Sequence, residues 1–115
     1  MDSILTSIKK LLGITEEYTH FDTDLMIHIN SALMTLTQLG VGTEGYMVDG
    51  PEDRWTDFIP EISLNKLHAV RSYVYLKVKL LFDPPQSSSV MESINRQISE
   101  FEWRLNVAVD PDKKT

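Results

Sequence analysis

The stretch "SLNKLHAVRSYVYLKVKLLFDPP", residues 63–85, decides the fold class because its apolar residues recur three or four positions apart along its whole length. This spacing places them on one side of an α-helix. Valine and aromatic side chains lower helix propensity and would also suit a strand, but a sustained helical period outweighs propensity. The predicted buried line consists of Leu64, Leu67, Val70, Val74, Val78 and Leu81.

Signals at both ends support this helix. Ser63 is predicted to be its N-cap, and Ile62 can pack against Leu67 as a hydrophobic staple. The helix should end at Asp83, because proline follows it and the residue before a proline avoids the helical conformation.

Two helices are predicted before this one. The first spans Ser3 to Leu12 and ends at Gly13, where a left-handed residue would fit. The second is predicted over roughly residues 22–39, with Asp22 as N-cap and a staple between Phe21 and Met26. Its predicted buried stripe is Leu25, Ile29, Ala32, Leu36 and Leu39.

A last helix is predicted over roughly residues 90–107. Ser89 and Glu92 have the spacing of a capping box, and a helical apolar stripe follows. That stripe is Met91, Ile94, Ile98, Phe101 and Leu105. We therefore predict an all-α fold, a small bundle of about four helices forming one domain over residues 1–115. The charged tail, about residues 108–115, has no apolar anchor and is expected to be mobile.

Composition excludes several classes of protein. The 115 residues carry 11 Lys and Arg against 17 Asp and Glu, and the resulting net charge of -6 argues against nonspecific nucleic-acid binding. The absence of cysteine excludes disulfides, thiolate nucleophiles and Cys-ligated metals. The N-terminus does not resemble a signal peptide, and no apolar run has membrane-spanning length. We expect a cytoplasmic protein with no membrane contact.

No catalytic motif is present. The nearest approach to a metal site is the group His20, Asp22, Asp24 and His28, in which Asp24 and His28 share a helix face. Helix capping by the acids and solvated histidines explain these residues better, since no third helical ligand is evident. We predict no catalytic residue, no metal and no cofactor. A metal-dependent enzyme using Asp24 and His28 is the alternative from that class.

Arg71, Tyr75 and Lys79 recur every four residues and form a basic stripe on the predicted 63–83 helix. Such a stripe could follow a phosphate backbone. The simpler interpretation is a solvated or subunit-facing side of the helix, with cations near its negative end.

The loop "VGTEGYMVDGPEDRW", residues 41–55, is long for so small a chain and contains apolar side chains. Val41 and residues 46–48 suit either a short β-hairpin or an extended arm. Aromatic and methionine side chains are enriched at interfaces, so contact with another chain is expected, with folding back onto the core as the alternative. The candidate contacts in and just after the loop are Tyr46, Met47, Val48, Trp55 and Phe58.

Several segments together resemble a known family. They are the first helix "ILTSIKKLLGI", the stretch "DTDLMIHINSALMTLTQLGVG", the loop with Trp55 and Phe58, "LLFDPP", and the closing "SVMESINRQISEFEWRLN". The chain resembles, over nearly its whole length, the head-tail connector (head completion, or adaptor) proteins of tailed bacteriophages that infect Gram-positive bacteria.

The resemblance implies a noncatalytic virion assembly protein at the head-tail junction, made in the host cytoplasm. Its implied partners are the portal protein, further copies of itself in a ring, and the next neck or tail completion protein. DNA would be passing cargo in the channel, and the state of the isolated chain, monomeric or not, is left open. The expected contacts are residues 41–55 and the tail from about residue 106 onward. The alternative function is a small nucleic-acid-binding protein of DNA packaging that uses the Arg71–Lys79 stripe.

Overall fold

The computed structural model describes residues 3–60 and 64–109. In these two ranges the chain forms five helices and no strand, which confirms the predicted all-α fold. None of these helices is long and apolar enough to cross a membrane. The helices are α1 (Ile4–Leu12), α2 (Asp22–Gln38), α3 (Trp55–Phe58), α4 (Leu64–Phe82) and α5 (Ser88–Val109).

The central element is α4, which packs against α2, α5 and α1. Its Val70, Val74 and Val78 are fully buried, as the helical spacing predicts. Leu81, however, is 56% exposed, so its predicted burial is wrong, while Tyr73 and Leu76 are buried. Because α4 has neighbours on several sides, it buries a wide arc rather than a single line, and its last turn leaves Leu81 in solvent.

The stripes of the other helices are largely as predicted. On α2, Leu25, Ile29, Ala32 and Leu36 are buried, and Leu33 joins them. On α1 and α5 most of the apolar stripe faces the core, although Leu11 is 47% exposed. These stripes form one apolar cluster that holds the helices together. The predicted Ser63 cap, its Ile62 staple and the side chain of Leu64 lie outside the described part of the chain.

Two predicted N-caps are wrong. Phe21 is the N-cap of α2 without a side-chain hydrogen bond, and Asp22 is the first helical residue. The Asp22 carboxylate instead pairs with Lys9 of α1 at 2.9 Å. At α5, the helix begins one residue before Ser89, and the Ser87 hydroxyl accepts from the Val90 N–H at 3.4 Å. A run of three serines offers several caps, and the chain uses the first.

The two ends of α1 follow local capping rules. The Ser3 hydroxyl accepts from the Thr6 N–H at 3.2 Å and caps α1, and Gly13 ends this helix with a φ of 83°. Lys9 is only 2% exposed and also donates to the Glu16 carbonyl at 3.0 Å. This buried cation therefore ties the α1–α2 connection to the beginning of α2. At the other end α5 continues to Val109, so residues 108 and 109 of the predicted mobile tail are helical.

Candidate interface between α2 and the following loop

The loop after α2 turns back sharply and is anchored at its first residues. The Val41 N–H donates to the Leu36 carbonyl at 2.8 Å, and Val41 is buried. Gly42 has a φ of 85°, and a Cβ built there would lie 2.3 Å from the Phe58 ring. Only glycine meets both requirements without strain. Thr43 then donates its N–H to the Phe58 carbonyl at 2.9 Å.

Asn30 of α2 fixes the middle of the loop. Its side-chain amide donates to the Val48 carbonyl at 3.0 Å, and its side-chain oxygen accepts from the Val48 N–H at 2.7 Å. The Val48 side chain is 3% exposed. An asparagine thus satisfies both backbone groups that a hairpin partner would have paired. Of the two predicted alternatives, a short β-hairpin and an extended arm, the structure shows the second, held by α2.

Asp53 organises the acidic part of the loop. Its carboxylate accepts from the Tyr46 hydroxyl at 2.7 Å and from the Asp49 N–H at 2.9 Å. Its carbonyl accepts from the Ile4 N–H at 2.9 Å, which attaches the loop to α1. Burial raises the pKa of Asp53, but the hydrogen bonds to its carboxylate outweigh this effect and lower the pKa below its ordinary value. Asp53 therefore remains a charged acceptor at neutral pH.

The pKa values of Tyr46 and Asp49, which both contact Asp53, are shifted in the opposite direction, upward. Burial, followed by the hydrogen bond to Asp53, raises the pKa of the Tyr46 hydroxyl well above its ordinary value. The pKa of Asp49 is raised chiefly by its side-chain hydrogen bond to Asp53 and by the charge of that residue. The Tyr46 hydroxyl therefore stays protonated and donates to Asp53, which links two parts of the same loop.

Trp55 and Phe58 belong to the core. Trp55 is 1% exposed and Phe58 is fully buried. The Trp55 indole N–H donates to the Ser7 hydroxyl at 2.9 Å, and this hydroxyl donates to the Ser3 carbonyl at 2.6 Å. The single turn α3 therefore inserts two aromatic side chains into the core, Trp55 beneath α1 and Phe58 beneath the loop at Gly42 and Tyr46. Together with Val48, these residues offer no surface to a partner in this fold, which corrects their selection as candidate contacts.

Two of the five candidate contacts remain accessible. Met47 is 66% exposed and Tyr46 is half-buried. They face the outer side of α2, where Ile27 and Met34 are 60% and 59% exposed. An open groove of about 630 Å³ lies between these elements. We call it the α2–loop groove; its main lining residues are Ile27, Ser31, Met34, Glu44, Tyr46 and Met47.

The sequence contains a signal for Ile27 and Met34 apart from the buried stripe of α2. Each lies two positions from a buried residue of α2, Ile29 and Leu36, and therefore about half a turn away from it. Large apolar residues on the outer side of an amphipathic helix indicate a contact surface when they meet other exposed apolar residues. The loop supplies those residues in Tyr46 and Met47.

The basic stripe lies elsewhere. Arg71, Tyr75 and Lys79 are half-buried along α4, and the α2–loop groove is lined by no residue of this helix. Lys79 pairs with Asp83 one turn further on, at 3.4 Å. The stripe thus forms a separate surface, and part of its charge is neutralised within the helix end.

The residues considered for a metal have other contacts. The His20 ring packs edge-on against Phe21 with centroids 4.8 Å apart, and Asp22 pairs with Lys9. Over residues 3–60 and 64–109, no three His, Asp or Glu side chains come together in a way that could hold a metal ion. Asp24 and His28 are therefore two neighbours on one helix without a third ligand in this part of the chain.

Comparison with known proteins shows one family match. The family described as "Phage connector protein" matches residues 4–112, a range that includes all of α1 to α5. No curated protein and no solved structure gives a significant match. The match agrees with the resemblance stated from the sequence. The Gram-positive host remains a prediction.

Proposed function

Because the chain belongs to the phage connector protein family, we propose that it forms a ring beneath the portal, extends the DNA channel and joins the head to the neck or tail. Membership implies a structural role at the head-tail junction of the virion, with portal and tail proteins as partners. The ring and its position are our proposal. The observation that carries it is the match over residues 4–112, nearly the whole chain.

The α2–loop groove supports the proposal because it is an exposed apolar surface on an anchored platform. Exposed apolar patches on soluble proteins mark interaction sites. Asn30, Asp53 and Trp55 already fix the loop, so docking need not order it and the entropy cost of binding is reduced. We assign Tyr46 and Met47 to contacts within the ring or with the portal. The segment after Val109 is proposed to bind the portal or the next neck protein.

Charge supports the role of DNA as passing cargo. Residues 11–53 contain no Lys or Arg, and the net charge of the chain is -6. The acids of this segment are Glu16, Glu17, Asp22, Asp24, Glu44, Asp49, Glu52 and Asp53. A ring with this charge repels the phosphate backbone over much of its surface and does not hold the DNA that moves through it. The proposed role requires no catalysis, metal or cofactor.

The proposal is tested with phage heads that contain the portal and lack this protein. The purified chain is mixed with the heads, which are sedimented and examined by gel and by electron microscopy. We expect several copies to sediment with each head, with added density beneath the portal. Matched heads without a portal should bind none. Equal recovery with both kinds of head, or no recovery with either, contradicts the proposal.

A nucleic-acid-binding role is the alternative, and one observation favours testing it. Helix α4 carries Lys66, Arg71, Lys77 and Lys79 and no acid. An electrophoretic shift with duplex DNA at increasing salt distinguishes the two functions, because phosphate contacts weaken steeply with salt. We expect no shift at physiological salt. A clear shift that R71E/K79E abolishes would support the DNA-packaging alternative.

A further inference from the structure

We propose that the α2–loop groove of one copy receives Trp103 of the next copy, so that the ring is built by contacts between the outer side of α2 and the outer side of α5. This inference rests on the proposed function, because only an assembled ring brings copies together in this way. The proposed occupant of the groove is a second copy of this chain, not the portal.

Trp103 is a further large apolar side chain exposed on the described surface. It is 66% exposed, although tryptophan is usually well buried. At about 100° per residue it lies half a turn from Ile94 and from Leu105, both of which face the core. Its ring therefore projects from α5 on the side away from α4. Nothing in the described fold of a single copy covers it.

The two surfaces lie on different helices. Both α2 and α5 turn their buried stripes toward the apolar cluster that contains α4. The groove lies on the outer side of α2, and Trp103 lies on the outer side of α5. A ring closed by head-to-tail contacts needs two different surfaces on each subunit, oriented so that one copy can follow another. The groove and Trp103 are two different surfaces of one subunit, as such contacts need.

Charge favours the pairing of unlike surfaces. The groove belongs to the segment 11–53, which has acids and no cation, and Glu44 lies at its edge. Two grooves facing each other would oppose like charges. Arg96 is exposed two turns from Trp103 on the same side of α5, and it has no ion pair within residues 3–60 and 64–109. Placing Trp103 in the groove brings this arginine toward the acidic segment.

The two acids of α5 nearest Trp103 weaken this attraction only in part. Glu100 pairs with Arg104, which offsets its charge, and Glu102 is held toward α4 by the hydrogen bond that it accepts from the buried Tyr73 hydroxyl at 2.8 Å. The groove, at about 630 Å³, has room for an indole ring. Its two methionines, Met34 and Met47, are flexible and make favourable contacts with aromatic rings. Tryptophan and arginine are also the residues most enriched among those that dominate interface energies.

The absence of cysteine allows a direct test by disulfide formation. Ser31 is exposed and lines the groove, while Ser99 is exposed one turn from Trp103 on the same side of α5. The variant S31C/S99C is bound to portal-bearing heads, oxidised and run on a nonreducing gel. We expect a ladder of covalent dimers, trimers and larger species. The matched control is S31C/S88C, whose second cysteine lies about 16 Å further along α5 and should give no ladder.

The outcomes separate this inference from the proposed function. If S31C/S99C binds heads but gives no ladder, the inference is overturned and the proposed function stands. If S31C, treated with a thiol-to-amine crosslinker, joins the portal protein instead of another copy, the portal occupies the groove and the inference is likewise overturned. If the unmodified protein fails to bind portal-bearing heads, both are overturned.

A second measurement removes the proposed contact itself. Trp103→Ala is expected to weaken assembly on heads about 30-fold, the loss typical of a residue that dominates an interface. Leu81→Ala is the control, since Leu81 is 56% exposed and belongs to neither surface. The two variants should have the same helical signal and unfolding midpoint. Equal assembly by both variants would overturn the inference.

Discussion

Replacing Trp55 by alanine tests whether the loop after α2 is part of the folded core. Trp55 is 1% exposed, and its indole N–H donates to the Ser7 hydroxyl beneath α1. Truncation of a buried tryptophan costs about 3 to 5 kcal/mol, through lost transfer free energy and the cavity left behind. A chain of this length is stable by roughly 6 to 17 kcal/mol. The substitution should therefore remove a large part of the free energy of unfolding.

Urea unfolding followed by circular dichroism measures this loss. With a dependence on urea of about 1 to 3 kcal/mol per molar, the midpoint should fall by roughly 2 M. The matched control is Trp103→Ala, which should change the free energy of unfolding by less than about 0.5 kcal/mol because it alters an exposed side chain. The chain has only these two tryptophans. Emission from the Trp103→Ala variant should therefore report a buried indole, and emission from Trp55→Ala an exposed one.

The result that would refute this reasoning is a small loss. If Trp55→Ala costs less than about 1 kcal/mol, well below the range for core truncations, the side chain is not held beneath α1. The sequence-based expectation of a loop whose aromatic residues await a partner would then be restored.

Three further predictions concern the loop. Gly42→Ala should destabilise the fold more than Gly45→Ala, because both glycines have positive φ but only a Cβ at residue 42 meets the Phe58 ring; urea midpoints decide it. Asn30→Ala should cost about 1 to 3 kcal/mol by leaving the Val48 backbone groups without partners, and a midpoint equal to that of Ser31→Ala would contradict it. The pKa of Asp53 is lowered, so its stabilisation is complete above the ordinary value of 3.8 and is lost as pH falls below it. Thermal melts should show this acid-side loss in the unmodified protein and a flatter one in Asp53→Asn; parallel profiles would contradict it.

The sequence predicted the features that depend on residues close together in the chain. The stripes of α2 and α5, the glycine end of α1 and the all-α class follow from spacing and from local capping rules. It did not predict Asp22 pairing with Lys9 or Asn30 pairing with Val48, because each contact joins polar residues from separate segments. Periodicity carries no information about such pairs.

Trp55 shows why the candidate site was only partly predicted. Its neighbours in the sequence are polar and acidic, so the loop looked like a solvated segment with exposed aromatic residues. The fold buries it against α1, where its hydrogen-bond partner Ser7 lies 48 positions away in the sequence. Of the candidate contacts, Tyr46 and Met47 are accessible at the surface. They form a groove because α2 also exposes Ile27 and Met34. Half of the site thus comes from a helix for which the sequence predicted a buried stripe but no interface residue.

Under the proposed function, an anchored loop changes the physical explanation of why isolated copies do not assemble before they meet the portal. A mobile loop would delay assembly through the entropy cost of ordering it, about 1 to 2 kcal/mol per residue. In this fold the loop is already ordered within the monomer by the hydrogen bonds of Asn30, Asp53 and Trp55, so docking does not have to order it. Under the proposed function, the delay must then come from the weakness of each contact and from repulsion between acidic segments. In that proposal, the portal would overcome both by holding many copies at high local concentration. Added salt, which screens the repulsion, should therefore promote association of the free chain, whereas a loop that orders on docking would be almost insensitive to it.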